Sequence, residues 1–201
     1  MDFSSFGSAQ TTPNQPISLN LTKGQTLNLT KTAPSLREVK LGLGWDVAVA
    51  GTNFDLDASA FVLRNGKLVN SSDVVFYNNP TGQGITYGGD NRTGAGEGDD
   101  ETISVDLSAL PSDVDKIVFV VTIYNAQQNQ QTFGMVKNSY IRLVDETSNN
   151  EIARYELKEN FSTETAVLFG QLEKDSAQSW HFHTLGEGKV GDLNALAMLY
   201  N

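Results

Sequence analysis

The sequence predicts an all-β protein: a β-sandwich of two mainly antiparallel sheets with short peripheral helices. Three observations point there. Short stretches of alternating or β-branched residues recur along the chain. Gly, Asn, Asp and Pro punctuate them with turn chemistry. Hydrophobic content is 39%, which suits a loop-rich β protein. Many short strands with turns between them indicate a sandwich or a barrel.

The elements follow in order. Residues 1–16 are rich in Ser, Thr, Gln, Pro and Gly with a single charge, and read as a disordered lead-in. Regular structure is expected from Ile17, giving one domain over 17–201. LNLTK occurs at 19–23 and again at 27–31, and both copies read as half-buried strands joined by a turn at Lys23-Gly24. A strand at 39–43 leads to a corner at Gly44-Trp45-Asp46. Strands at 59–64 and 67–70 flank Asn65-Gly66, a strong hairpin signal. Short strands are expected at 74–77 and 103–107. KIVFVVTIY at 116–124 reads as a strand buried on both faces. Further strands are expected at 140–145, 151–157, 166–173 and 179–184. Asp192 is placed to N-cap a short helix in LNALAMLY.

The bulk properties narrow the function. A chain of 201 residues is long enough for one substantial core. A net charge of −10 argues against nucleic acid and against electrostatic docking on anionic lipid. Cysteine is absent, which excludes disulfides, thiolate metal sites and cysteine nucleophiles. No apolar run approaches the ~18 residues of a membrane span. The N-terminus has neither a basic start nor an apolar core, so a cytoplasmic location is expected. The five sequons then read as chance.

The most informative stretch is 88–101, GGDNRTGAGEGDDE, with five carboxylates, five glycines and one Arg. Like charges this dense repel one another, and glycine lets backbone approach a ligand closely. Such a loop is either solvated or collapsed around a cation. Calcium takes six to eight oxygen ligands in irregular geometry. Two segments offer carboxylates and carbonyls together: Asp55-Leu56-Asp57, with Asp46 close in sequence, and Asp90-Asn91 followed by Glu97, Asp99, Asp100 and Glu101. Strand alternation puts Asp55 and Asp57 on one side of the chain, where they can share an ion. Neither segment is an EF-hand, because Ala60 and Gly66 fall where the turn Gly and the bidentate Glu belong. Zinc is disfavoured by the donor set. Magnesium stays open, although it usually keeps several waters.

Other signals carry less. Gly186–Gly191 matches GxGxxG but has too little chain after it for a dinucleotide fold, and reads as a structural turn. His181 and His183 lie two apart on a strand and read as surface residues. Trp45 and Trp180 read as core packing. Nothing resembles GxSxG.

Several motifs together resemble one family. KGQTLNLTK, LGLGWD, FDLDASAFVL, VVFYNN, GDNRTGAGEGDDE and KIVFVVTIYNAQQNQQTFG occur in order, followed by IRLVDETSNNEIARYEL, STETAVLFGQL and WHFHTLGEG. Over about residues 17–200 the chain resembles the TerD family of tellurium-resistance and bacterial stress proteins. The resemblance implies a calcium-binding β-sandwich with no known catalytic reaction. Carried over by position, it implies Asp55, Asp57, Asp90, Asn91, Asp99, Asp100 and Glu101 as ligands, with Glu97 and the carbonyl of Leu56 as further donors. Trp45, Asp46 and Asn78 stand as residues that brace them. Two calcium ions are expected. The resemblance also implies partnership with other Ter-type stress proteins, some in a membrane-associated complex. The alternatives are a metal-dependent hydrolase using the same carboxylates and a calcium-dependent small-ligand-binding module.

Overall fold

The computed structural model describes residues 18–46, 54–89, 91–94 and 98–201. The expected lead-in at 1–16, Ile17, Asp90 and Glu97 lie outside the described residues. Among the described residues thirteen strands form two sheets: β1 (Leu19–Leu21), β2 (Thr26–Asn28), β3 (Glu38–Asp46), β4 (Leu56–Leu63), β5 (Val74–Val75), β6 (Thr81–Gly82), β7 (Ile85–Gly88), β8 (Glu101–Asp106), β9 (Lys116–Ile123), β10 (Lys137–Asp145), β11 (Asn150–Glu156), β12 (Ala166–Lys174) and β13 (Trp180–Lys189). One sheet runs β1-β11-β10-β3-β8-β7-β6 and the other β2-β13-β12-β9-β4-β5. Neighbours are antiparallel except β1 with β11. This is the sandwich the alternating pattern predicts. Short α-helices decorate it: α1 (Leu29–Thr32), α2 (Ala126–Asn129) and α3 (Leu193–Ala197).

Side-chain alternation builds the core. In β4, Leu56, Ala58, Ala60 and Val62 face the opposite sheet, while Phe61 and Leu63 belong to a second apolar cluster. In β9, Ile117, Phe119, Val121 and Ile123 face inward, and Val118 and Val120 face the second cluster. The strand at 116–123 is thus buried on both faces, as its unbroken apolar run predicts. Leu196 of α3 and Tyr200 close the second cluster, with the Tyr200 ring edge-on to Phe61 at 5.7 Å. Asp192 caps α3 by accepting from the Ala195 N–H at 2.9 Å. Among the described residues no helix is long and apolar enough to cross a membrane.

Three local expectations are corrected. The two LNLTK copies do not both end as strands: β1 joins one sheet and β2 the other, and Asn28 caps the helix α1 by accepting from Lys31 N–H at 2.8 Å. The Asn65-Gly66 turn forms, with φ of 53° and 76°, but pairing stops at the single bridge Arg64–Lys67. Beyond it the Leu68 N–H donates to the Tyr200 carbonyl, and a capping box at Asn70 and Asp73 turns the chain into a 3₁₀ turn. The GxGxxG stretch is largely strand rather than turn, because β13 continues to Lys189 against β12. Short strands β6 and β7 carry patterns too brief to be read from sequence.

The two sheets meet where Phe169 of β12, fully buried, lies edge-on to Tyr155 of β11 at 5.9 Å. Phe169→Ala is expected to cost about 3–5 kcal/mol in urea unfolding, the usual range for emptying a core aromatic site. A loss below ~1 kcal/mol would contradict this placement.

Candidate functional site

The site begins with the sheet pattern. Inward Leu56 and Ala58 leave Asp57 on the opposite face of β4, and Asp55 precedes it on the same side. Asp57 is buried. The two carboxylates line a cleft of about 220 Å³ with Tyr77, Arg92 and Tyr124. The backbone holds this wall in place, because the Tyr124 N–H donates to the Asp55 carbonyl at 2.8 Å. Arg92 lies at the mouth, its Nε 3.6 Å from Asp55 Oδ2. Leu56 points its side chain into the core, so only its carbonyl is available as a donor.

The end of the acidic run divides into three tasks. Asp99 is gripped by Arg142 of β10, with Nε–Oδ1 at 2.7 Å and Nη2–Oδ2 at 3.0 Å. This fork raises the pKa of the Arg142 guanidinium above its ordinary value. The Asp99 carboxylate fills the space where a Cβ on Gly42 would stand, and the Tyr140 ring does the same over Gly44. The LGLGW repeat is therefore a dock for the acidic loop: glycine at alternate positions of β3 clears one face. Tyr140 Oη also donates to the Gly98 carbonyl at 2.7 Å, and Arg154 lies 3.4 Å over the Tyr140 ring.

Asp100 accepts from the Trp45 N–H at 3.0 Å and from Asn91 Nδ2 at 2.6 Å. Burial raises the Asp100 pKa above the usual carboxylate range, with Asp99 and Asp46 adding to the shift against those two hydrogen bonds. Asn91 in turn accepts from the Thr93 N–H and hydroxyl, both at 3.1 Å. Glu101 is fully buried and accepts from the Ala58 N–H of the other sheet at 2.6 Å. Asp46 accepts from Asn138 Nδ2 at 2.5 Å.

Trp45 joins these parts. Its Nε1–H donates to the Phe54 carbonyl at 3.2 Å, and Gly94 packs directly against its indole. Asn78 sits in the turn between Phe76 and Asn79, and it is the neighbouring Tyr77 that lines the cleft. Sequence reasoning passed over Tyr77, Tyr124, Arg92, Tyr140 and Arg142. The available signals were the single cation inside an acidic run and the alternate glycines of β3.

The donors fit a hard cation better than a soft one. Asp55, Asp57, Asp100, Asn91 and the local carbonyls offer oxygen only. Among the described residues no three His, Asp or Glu side chains converge in a way that could hold a metal by themselves. An ion bound on Asp55 and Asp57 therefore needs carbonyl, amide or water oxygens as well, as calcium commonly does. His181 and His183 lie elsewhere, on one face of β13, where His181 pairs with Asp175 at 2.9 Å and His183 bonds Thr26 at 2.8 Å.

The family model for the TerD domain matches residues 17–200. Tellurium resistance protein TerD of Serratia marcescens is 49% identical over 188 residues, covering 92% of this chain and 97% of that protein. General stress protein 16U of Bacillus subtilis is 45% identical over 189 residues, covering 92% of this chain and 97% of that protein. A solved structure of a homologue of telluride resistance protein from Streptomyces coelicolor aligns with a TM-score of 0.64 at 20% identity, covering 81% of this chain and 96% of that one, which shows the shared fold.

Gly94 has φ +63°, and a Cβ there would lie 2.3 Å from Trp45 Nε1. Gly94→Ala is expected to destabilise by more than about 1 kcal/mol and to shift tryptophan emission. Unchanged emission and an unchanged thermal midpoint would refute the indole–loop contact.

Proposed function

The chain belongs to the TerD family, and we propose that it is a cytoplasmic calcium-binding stress-response protein whose metal-organised acidic loops form a surface for partners or ligands. The observation that carries the reading is the pair Asp55 and Asp57 on one wall of a single cleft. Bringing two carboxylates together costs free energy unless a cation sits between them. Asp57 and Asp55 would hold the ion, with backbone carbonyls completing the shell. Asp100 and Asn91 would supply oxygens to a second ion. Bound calcium supplies positive charge that offsets the loop's repulsion; the chain's own contribution is to hold the oxygens in place through β4, Trp45 and the Asp99–Arg142 clamp.

Four of the matching proteins are named for tellurium resistance, in Serratia marcescens and Alcaligenes, and others for stress response in Bacillus subtilis. None of those names is an enzyme's. The reading for this chain is accordingly non-catalytic: a metal-dependent module that acts through other Ter-type stress proteins, including a membrane-associated complex. With no cysteine in the chain, tellurite reduction by its own thiols is excluded.

Thermal unfolding of metal-free protein, repeated with calcium, magnesium or manganese, tests the reading. At 100 times Kd one ion stabilises by about 2.7 kcal/mol. For a chain of this size that is a rise of roughly 5–10 °C. Calcium is expected to give this rise, and Asp57→Asn with Asp100→Asn is expected to lose it while the metal-free protein still folds. Equal calcium stabilisation in parent and double variant would rule out this ligand assignment. A larger response to magnesium or manganese, with turnover of phosphoesters, would favour a hydrolase instead.

A further inference from the structure

Two clefts meet at Arg92. One holds the Asp55/Asp57 pair. The other, of about 550 Å³, shares Asp55, Arg92 and Tyr124 with the first and extends past Thr93, Asn125 and Asn129. We propose that Arg92 is the built-in counter-cation of the metal-free cleft, and that an arriving divalent cation turns it into the second cleft, where its guanidinium holds a small oxyanion ligand. This rests on the calcium reading above.

The geometry makes Arg92 a weak, solvent-exposed partner. Its Nε stands 3.6 Å from Asp55 Oδ2, beyond a good hydrogen bond, and its side chain is 70% exposed. Exposed pairs of this kind contribute little and are readily exchanged. A divalent ion on Asp55 and Asp57 competes for the same carboxylate with twice the charge. A guanidinium cannot relieve the resulting repulsion by losing its proton, so it must move. The adjoining cleft is where the shared wall lets it go.

That second cleft suits an anion once the metal has taken Asp55. Asn125 and Asn129 bring amide groups to the same space as the guanidinium, while the neighbouring Thr93 hydroxyl donates to Asn91 Oδ1. Asn125 opens α2 in a left-handed conformation (φ 52°), and its side chain makes no cap bond to that helix. The forked donor geometry of Arg matches phosphate and carboxylate oxygens. Binding would then be linked in both directions: calcium favours the anion, and the anion favours calcium.

Isothermal titration on the full chain, stripped of metal on a chelating resin, tests both halves. Arg92→Ala is expected to bind calcium about two- to fivefold more tightly than the parent, because an internal competitor is gone. Equal or weaker calcium binding by Arg92→Ala overturns the proposal. Sulfate and acetate serve as anion probes, the first for a tetrahedral phosphate-like group and the second for a carboxylate. Heat of binding for one of them is expected only in parent protein with calcium present. Binding that is the same without calcium, or the same in Arg92→Ala, overturns it, and so does binding of neither probe. Failure of the parent to bind calcium at all is a separate result, which removes the calcium reading itself.

Discussion

The acidic end of this molecule depends on the hydrogen bond from the Ala58 N–H to the Glu101 carboxylate. Among the described residues β5 pairs with β4 only at Ala60 and Phe61, and none of them forms a strand beside the edge of β4 nearer Asp57. A buried backbone N–H left without an acceptor costs about 1–3 kcal/mol. Glu101, the first residue of β8 in the opposite sheet, reaches across and supplies the acceptor at 2.6 Å. This one contact ties the sheets together beside the Asp55/Asp57 cleft. It also fixes the end of the acidic loop, since Asp100 and Asp99 directly precede it.

From that anchor the charges separate by task. Glu101 satisfies β4, Asp99 is neutralised by Arg142, and Asp100 holds Trp45 and Asn91. A run that reads as uniform repulsion is therefore partly structural. What remains for a cation is set by which carboxylates already have a cationic fork against them. Asp99 has one in Arg142, at hydrogen-bond distance and with its side chain only 8% exposed. Asp55 faces the solvated Arg92 at 3.6 Å, a longer and more exposed contact. The contrast between the two arginines explains why the cleft beside β4, rather than the face of β3, is the better candidate for exchangeable metal.

Much of the fold was legible because its signals are local. The unbroken apolar run of β9, the alternation in β8 and the Asp192 cap each depend on a few neighbouring residues. What escaped was set by distant contacts. The second LNLTK copy carries a strand's alternation, yet Asn28 caps it into a helix. Asn65-Gly66 makes its turn, yet the second arm is claimed by Tyr200, far away in sequence. At the site, the pairing of Asp55 with Asp57 followed from strand alternation alone. The role of Asp99 could not follow, because Arg142 lies 43 positions away and approaches only through the register of β10 on β3. Tyr77 and Tyr124 were unreadable for the same reason.

The most direct test is to count the calcium held by the full chain at equilibrium, by dialysis against labelled calcium at neutral pH, for the parent and for Asp57→Asn. The account predicts saturable binding near two ions per chain in the parent and the loss of at least one in the variant. No saturable binding at millimolar calcium, or the same count in both proteins, would contradict it.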